Sequence, residues 1–143
     1  MTALVDTNVV LDVLLAREPF LSDSIRVLEA VEISRCRGLL CATTLTTIHY
    51  ILRCAVGTKV SGKRVGDLLS IFDVAPVNRP ILETAVGKNF TDFEDAVMHQ
   101  AAIQAGADCV VTRNITDFKN ADLPVFTPAQ FLAALDLERR SES

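Results

Sequence analysis

The chain has 143 residues, half of them hydrophobic, and a formal net charge of −4. This length suits one domain with a full core, the composition excludes a disordered chain, and no uncharged apolar window reaches the roughly 18 residues a membrane span needs. The acidic balance lacks the basic signature common in nucleic-acid-binding proteins, although a metal-loaded acidic pocket can attract phosphate locally.

The N-terminus has neither the basic start nor the small-residue cleavage site of a secretory signal, so a cytoplasmic protein is expected. Cys36, Cys41, Cys54 and Cys109 show no CxxC spacing. Buried, reduced thiols are expected, and a zinc site is not.

Short apolar runs predict buried strands at Ala3–Asp6, Gly38–Ala42, Phe72–Pro76, Cys109–Thr112 and Val125–Thr127. After the first, "DTNVVLDVL" turns straight into a new apolar segment. Helical spacing follows in 20–35, where Leu21, Ile25 and Leu28 share a face. It recurs in 43–56 through Leu45, Ile48, Leu52 and Ala55, and in 64–72 through Val65, Leu68, Leu69 and Phe72. "GTKVSGKR" (57–64) reads as the most flexible connection. Residues 79–87 and 92–106 also read as helices, the second opened by a capping box from Thr91 to Glu94. The last helix covers 127–135, with Thr127 as N-cap and Pro128 at its first position. One domain is expected over 1–136, followed by a polar, frayed tail over 137–143. Strands separated by helices predict a three-layer α/β/α sandwich around a mostly parallel sheet. Ligands of such folds sit beyond the carboxyl ends of the strands.

Polar residues collect at those ends. Asp6 closes the first strand; a helix cap would explain it, but Thr7 or Asn8 could cap as well. In "NFTDFEDAVMHQAA" (89–102), Asp92 falls in the first helical turn, where the helix dipole favours a carboxylate. Asp95 has Met98 and Ala102 as helical neighbours and faces the edge of the core, where an unpaired carboxylate is costly. His99 shares that side of the helix, whereas His49 reads as a helix-surface or core-edge residue. In "DCVVTRNITDF" (108–118), Thr112, Arg113 and Asn114 end the strand and Asp117 follows, in an Asx turn or a short helix ending near Phe118. Oxygen-rich clusters of this kind suit Mg²⁺ or Mn²⁺, and attack of water on a phosphodiester is the chemistry they support.

The motifs "LVDTNVVLDVL", "DFEDAVMHQAA", "VVTRNITDF" and "LPVFTPAQFL", in this order, resemble the PIN domain family, which includes the nuclease toxins of toxin–antitoxin pairs. The resemblance covers nearly the whole chain. It implies a ribonuclease that cuts single-stranded RNA with Mg²⁺ or Mn²⁺. Asp6 and Asp95 would be metal-binding and catalytic carboxylates, with Asn8 in support. The family's Glu in its third helix is replaced by Thr47, a neutral and poorer ligand. Its acidic position after the fourth strand falls at Asn114; Asp117 could compensate, and Asp92 or Glu94 could supply further charge, with Asp92 as a third metal ligand. Thr112 would support the site. Asn114 and Arg113 would contact RNA, and phosphate contacts of this kind make binding salt-dependent. Lys59, Lys63 and Arg64 are further candidate cations. The resemblance also implies an antitoxin partner and a homodimer. Two other functions stand beside the nuclease: a PIN-fold RNA- or protein-binding module without catalysis, motivated by Thr47 and Asn114, and a phosphatase or phospho-receiver with Asp6 as nucleophile.

Overall fold

A computed structural model describes residues 1–142. Five strands make one parallel sheet: β1 (Thr2–Val5), β2 (Arg37–Cys41), β3 (Asp73–Ala75), β4 (Cys109–Val111) and β5 (Val125–Phe126). The sheet order is β3-β2-β1-β4-β5. β1 lies in the middle, with Ala3 opposite Gly38 on one side and Cys109 on the other. The near-continuous apolar sequence of β1, β2 and β4 is what a parallel strand covered on both faces requires.

Successive side chains point to opposite faces of a strand, and the two cores follow that alternation. Ala3, Val5, Leu40, Cys109 and Val111 face one cluster with Val9, Val27, Ile48, Leu68 and Phe131. Leu4, Leu39, Cys41, Ala75 and Val110 face the other, with Ile81, Ala85, Val97, Ala101 and Phe118. The first layer is built by α1 (Thr7–Leu14), α2 (Leu21–Glu32), α3 (Ala42–Val56), α4 (Thr58–Ile71) and α7 (Pro128–Ser141); the second by α5 (Arg79–Val86) and α6 (Phe93–Gln104). A short 3₁₀ turn, Ile115–Phe118, follows β4, as the sequence allowed. The expected three-layer α/β/α sandwich is therefore the observed one.

Several local expectations are corrected. Residues 57–64 are not a loose connection: α4 begins at Thr58, and only Gly57, at φ +88°, separates it from α3. Glycine adopts that conformation without a Cβ penalty, so the chain reverses in one residue, and the Ser61 hydroxyl donates to the Gly57 carbonyl at 2.6 Å. The tail is not frayed from 137: α7 continues to Ser141, with Arg139 and Arg140 in its last turn. Ser143 lies outside the described residues. On α2 the buried face is Ser24, Val27, Ala30 and Val31, while Leu21, Ile25 and Leu28 sit on its shoulders. The helix is wedged between α1 and α7 and packs through its smaller residues. Leu69 of α4 is half exposed, not inward. Cys36, Cys41 and Cys109 are buried and free, but Cys54 is exposed. Among the described residues no helix is long and apolar enough to cross a membrane.

Candidate active site

The strand order reverses direction between β1 and β4: the chain steps one way to β2 and β3 and the other way to β5. Such a switch point leaves a crevice beyond the strands' carboxyl ends. Asp6 and Thr112 are the first residues past β1 and β4, and the Asp6 N–H donates to the Val111 carbonyl at 2.9 Å, prolonging the pairing to the crevice.

Asp6 is the N-cap of α1, yet its carboxylate does more than cap. Oδ1 accepts from the adjacent Thr7 N–H at 2.7 Å, and Oδ2 accepts from the Thr112 hydroxyl at 2.7 Å. A usual N-cap reaches the second or third N–H of the helix; here the group is turned across the sheet. The Thr112 oxygen in turn accepts the Asn114 N–H at 3.0 Å. The two hydrogen bonds stabilise the charged carboxylate. Burial opposes them and wins, and with Glu94 and Asp117 nearby it raises the Asp6 pKa above the ordinary value.

The N-terminus of α6 faces this group. The helix is capped by Asp92, whose Oδ1 accepts from the Glu94 N–H at 2.7 Å and the Asp95 N–H at 3.4 Å. The expected Thr91–Glu94 box does not form; Asp92 is one residue closer and takes the cap. Asp95 is half-buried, and burial together with Asp6, Asp92, Asp117 and Glu94 pushes its pKa up to about 7. Asp95, remote from Asp6 in sequence, thus feels its charge, and Asp117 on the exposed 3₁₀ turn acts on both.

The wall of the site is a threonine cluster. The hydroxyls of Thr7 and buried Thr44 lie 2.9 Å apart, and Thr44 Oγ1 approaches Met98 Sδ at 3.4 Å, joining α1, α3 and α6 beneath the carboxylates. Thr47, one turn further along α3, donates to Glu94 Oε1 at 3.3 Å. Asn8 Oδ1 is buried without a hydrogen-bond partner.

Other candidates take different positions. Arg113 is not an open cation: its guanidinium donates to Asp12 at 2.8 Å through Nε and 3.3 Å through Nη2, and it stacks over Phe20 at 4.2 Å from the ring centre. Asp12 is fully buried, with Arg17 at 3.8 Å as a second cation. Lys63 and Arg64 both pair with Asp67, while Lys59 is exposed on α4. His99 turns into the core, where its Nε2 accepts the Asp122 N–H at 2.9 Å; burial lowers its pKa. It does not join the carboxylates. Sequence reasoning passed over Asp12, although a charge inside "VVLDVLL" signals a buried partner. Glu94 was read only as a source of further charge, and only the fold sets it against Thr47.

The PIN domain family model matches residues 2–116. The chain belongs to the PIN domain family. No curated protein matches this PIN domain in sequence. Solved structures do. A toxin–antitoxin complex from Klebsiella pneumoniae is 22% identical over 88% of this chain and 97% of its own, with a TM-score of 0.68. FitAcB from Neisseria gonorrhoeae is 22% identical over 89% of this chain and 98% of its own, at 0.65. VapC20 of Mycobacterium tuberculosis, a toxin that cleaves the sarcin–ricin loop, is 15% identical over 76% of this chain and 86% of its own, at 0.62. At such identities the likeness is one of fold. The observed strand order, β3-β2-β1-β4-β5, differs from the 2-1-3-4-5 order of a phospho-receiver.

Whether this PIN domain suits a metal turns on its donors. Among the described residues no three Asp, Glu, His or Cys side chains form a ready-made metal cage, so the expected Asp6, Asp92 and Asp95 set is not a closed centre, and one oxygen of Asp92, Oδ1, is taken by its cap. Asp6 and Asp95 nevertheless share an acidic neighbourhood, with Glu94 and Asp117 acting on both. The free oxygen of Asn8 adds a neutral donor nearby in sequence. A small hard ion that keeps part of its water and takes one or two carboxylates fits that set.

Proposed function

We propose that this PIN domain is a divalent-metal-dependent endoribonuclease of single-stranded RNA, and the toxin of a cytoplasmic toxin–antitoxin pair. The observation that carries the reading is the convergence of Asp6 and Asp95 at the switch point of the sheet, with a raised pKa on each. Carboxylates forced together lose part of their charge unless a cation compensates. Asp6 and Asp95 would hold Mg²⁺ or Mn²⁺, which when bound supplies an activated water and offsets charge on the phosphate. Thr112 and the Thr7 N–H fix the Asp6 carboxylate, so its orientation is set before substrate arrives. Asp117, exposed and acting on both carboxylates, would accept a proton from the attacking water. Glu94, steadied by Thr47, supplies carboxylate charge beside the position where the family carries its helix-3 Glu. Asn114, exposed beyond Thr112, offers an amide to the RNA backbone.

The test is cleavage of end-labelled single-stranded RNA with Mn²⁺. Activity that disappears with chelator and in Asp6→Asn, and is weak on a duplex of the same sequence, supports the reading. Absence of cleavage across a panel of RNA sequences overturns it. The antitoxin and homodimer parts are checked by co-purification with the product of an adjoining small reading frame and by sedimentation.

A second reading is favoured by the neutral Thr47 and Asn114 at positions where the family carries carboxylates, with Thr47 hydrogen-bonded to Glu94. A PIN-fold module that binds RNA or protein without cutting would follow. Calorimetry separates the two, since the module binds RNA or protein but takes up no Mn²⁺ at millimolar concentration.

A further inference from the structure

A cavity of about 200 Å³ opens between the start of α2, the start of α7 and Arg113, two residues past β4. Pro19, Phe20, Pro128 and Ala129 give it a largely apolar wall, and Asp23, Ser24, Thr127 and Arg113 line the remainder. Three observations mark it out. It lies at the carboxyl ends of β4 and β5, the end of the sheet that carries Asp6, and Arg113 is the direct neighbour of Thr112, whose hydroxyl holds Asp6. Ser24 is fully buried, and its hydroxyl has no hydrogen-bond partner; burying an unpaired hydroxyl is costly, and a ligand that pairs with it recovers the loss. Arg113 is spread over the Phe20 ring and neutralised by Asp12, so this part of the wall presents a broad planar surface without free positive charge, and Asp23 at the rim adds a carboxylate.

That combination disfavours a phosphate, which needs uncompensated cations, and favours an uncharged planar ring with hydrogen-bonding edges. Single-stranded nucleic acids are held in this way, by aromatic and guanidinium planes, without Watson–Crick partners. The volume falls below the roughly 300–1,000 Å³ of a site for a larger ligand and matches a single ring system. We propose that this cavity is a nucleobase subsite that takes one unpaired base of the RNA whose scissile phosphate lies at Asp6 and Asp95. The inference rests on the ribonuclease reading and adds where base preference comes from. The base stacks along the Phe20–Arg113 surface, and a ring nitrogen or exocyclic group pairs with Ser24 Oγ.

The experiment titrates the four nucleoside 5′-monophosphates, without metal, into ¹⁵N-labelled protein and follows the amide signals of Ser24, Arg113 and Ala129. Saturable shifts at these amides, stronger for some bases than for others, are expected. Ser24→Ala should weaken the preferred nucleotide about 2- to 10-fold, the range for one lost hydrogen bond. Ala129→Phe, which fills the mouth from an exposed helix position, should abolish the shifts and flatten base preference in RNA cleavage. Equal or absent shifts for all four nucleotides overturn the subsite, as does a base preference unchanged by Ala129→Phe; RNA cleavage that persists in either case leaves the ribonuclease reading standing. Saturable, base-selective binding to a protein that cuts no RNA keeps the subsite and removes the catalysis.

Discussion

Asp95 shows how a single residue can be placed against its own stability. Its pKa of about 7 means that the folded chain binds a proton the unfolded chain has released above pH 4. At neutral pH without metal, Asp95→Asn should therefore stabilise the fold by about 1–2 kcal/mol after allowance for solvent screening. Thermal unfolding with and without Mn²⁺ checks it: the variant starts higher and gains nothing from the ion. Asp12 is the opposite case. It is fully buried and bridged to Arg113, so Asp12→Ala strands a guanidinium and should cost about 3–5 kcal/mol, read as a lower urea midpoint. An Asp12→Ala variant as stable as wild type would show that the pair is not what holds Arg113.

At the scale of elements, the start of α6 carries two tasks in four residues. Asp92 closes the helix while Glu94 and Asp95 turn toward Asp6. Cap and charge separate by substitution. Asn caps as well as Asp, so Asp92→Asn should leave stability within about 0.5 kcal/mol, whereas Asp92→Ala should lose about 1 kcal/mol. If Asp92→Asn also weakens Mn²⁺ binding in calorimetry, the residue serves the ion as well as the helix. The α3–α4 junction carries a comparable constraint, since α4 can start at Thr58 only because Gly57 turns with positive φ. On β2, a Cβ at Gly38 would meet the Phe72 ring at 2.7 Å, so the same close packing that seats α4 on the sheet leaves no room for a side chain there.

The whole molecule responds to pH through the same carboxylates. Between the unfolded value near 4 and the folded value near 7, the native state holds more protons than the unfolded state, so metal-free stability falls as pH rises through that window. His99 acts the other way: buried neutral, it costs stability as pH drops below its unfolded value of 6.5. The difference between wild type and Asp95→Asn isolates the carboxylate. It should grow from pH 4 to 7 and level off above. Saturating Mn²⁺ should reverse the loss, by about 2.7 kcal/mol at a hundredfold excess over Kd.

Much of this protein is local chemistry and could be read from the chain. Apolar runs flanked by helical spacing dictate a parallel sheet covered on both faces. Asp6, Asp95 and Thr112 are visible as polar groups where such runs stop or a helix starts, and the Thr127 N-cap with Pro128 behind it is written in the sequence and found in α7. What a linear reading could not supply is which charges meet. Whether Arg113 faces solvent or Asp12, whether Thr47 touches Glu94, and whether Ser24 finds a partner depend on side chains 101, 47 or more residues apart, or on a wall built by three separate elements. Periodicity fixes the face of a helix only to within a turn, as Leu21, Ile25 and Leu28 illustrate. The tertiary packing then decides which of the many surface polar groups become a site, because burial and proximity, not residue type, raise a carboxylate's pKa.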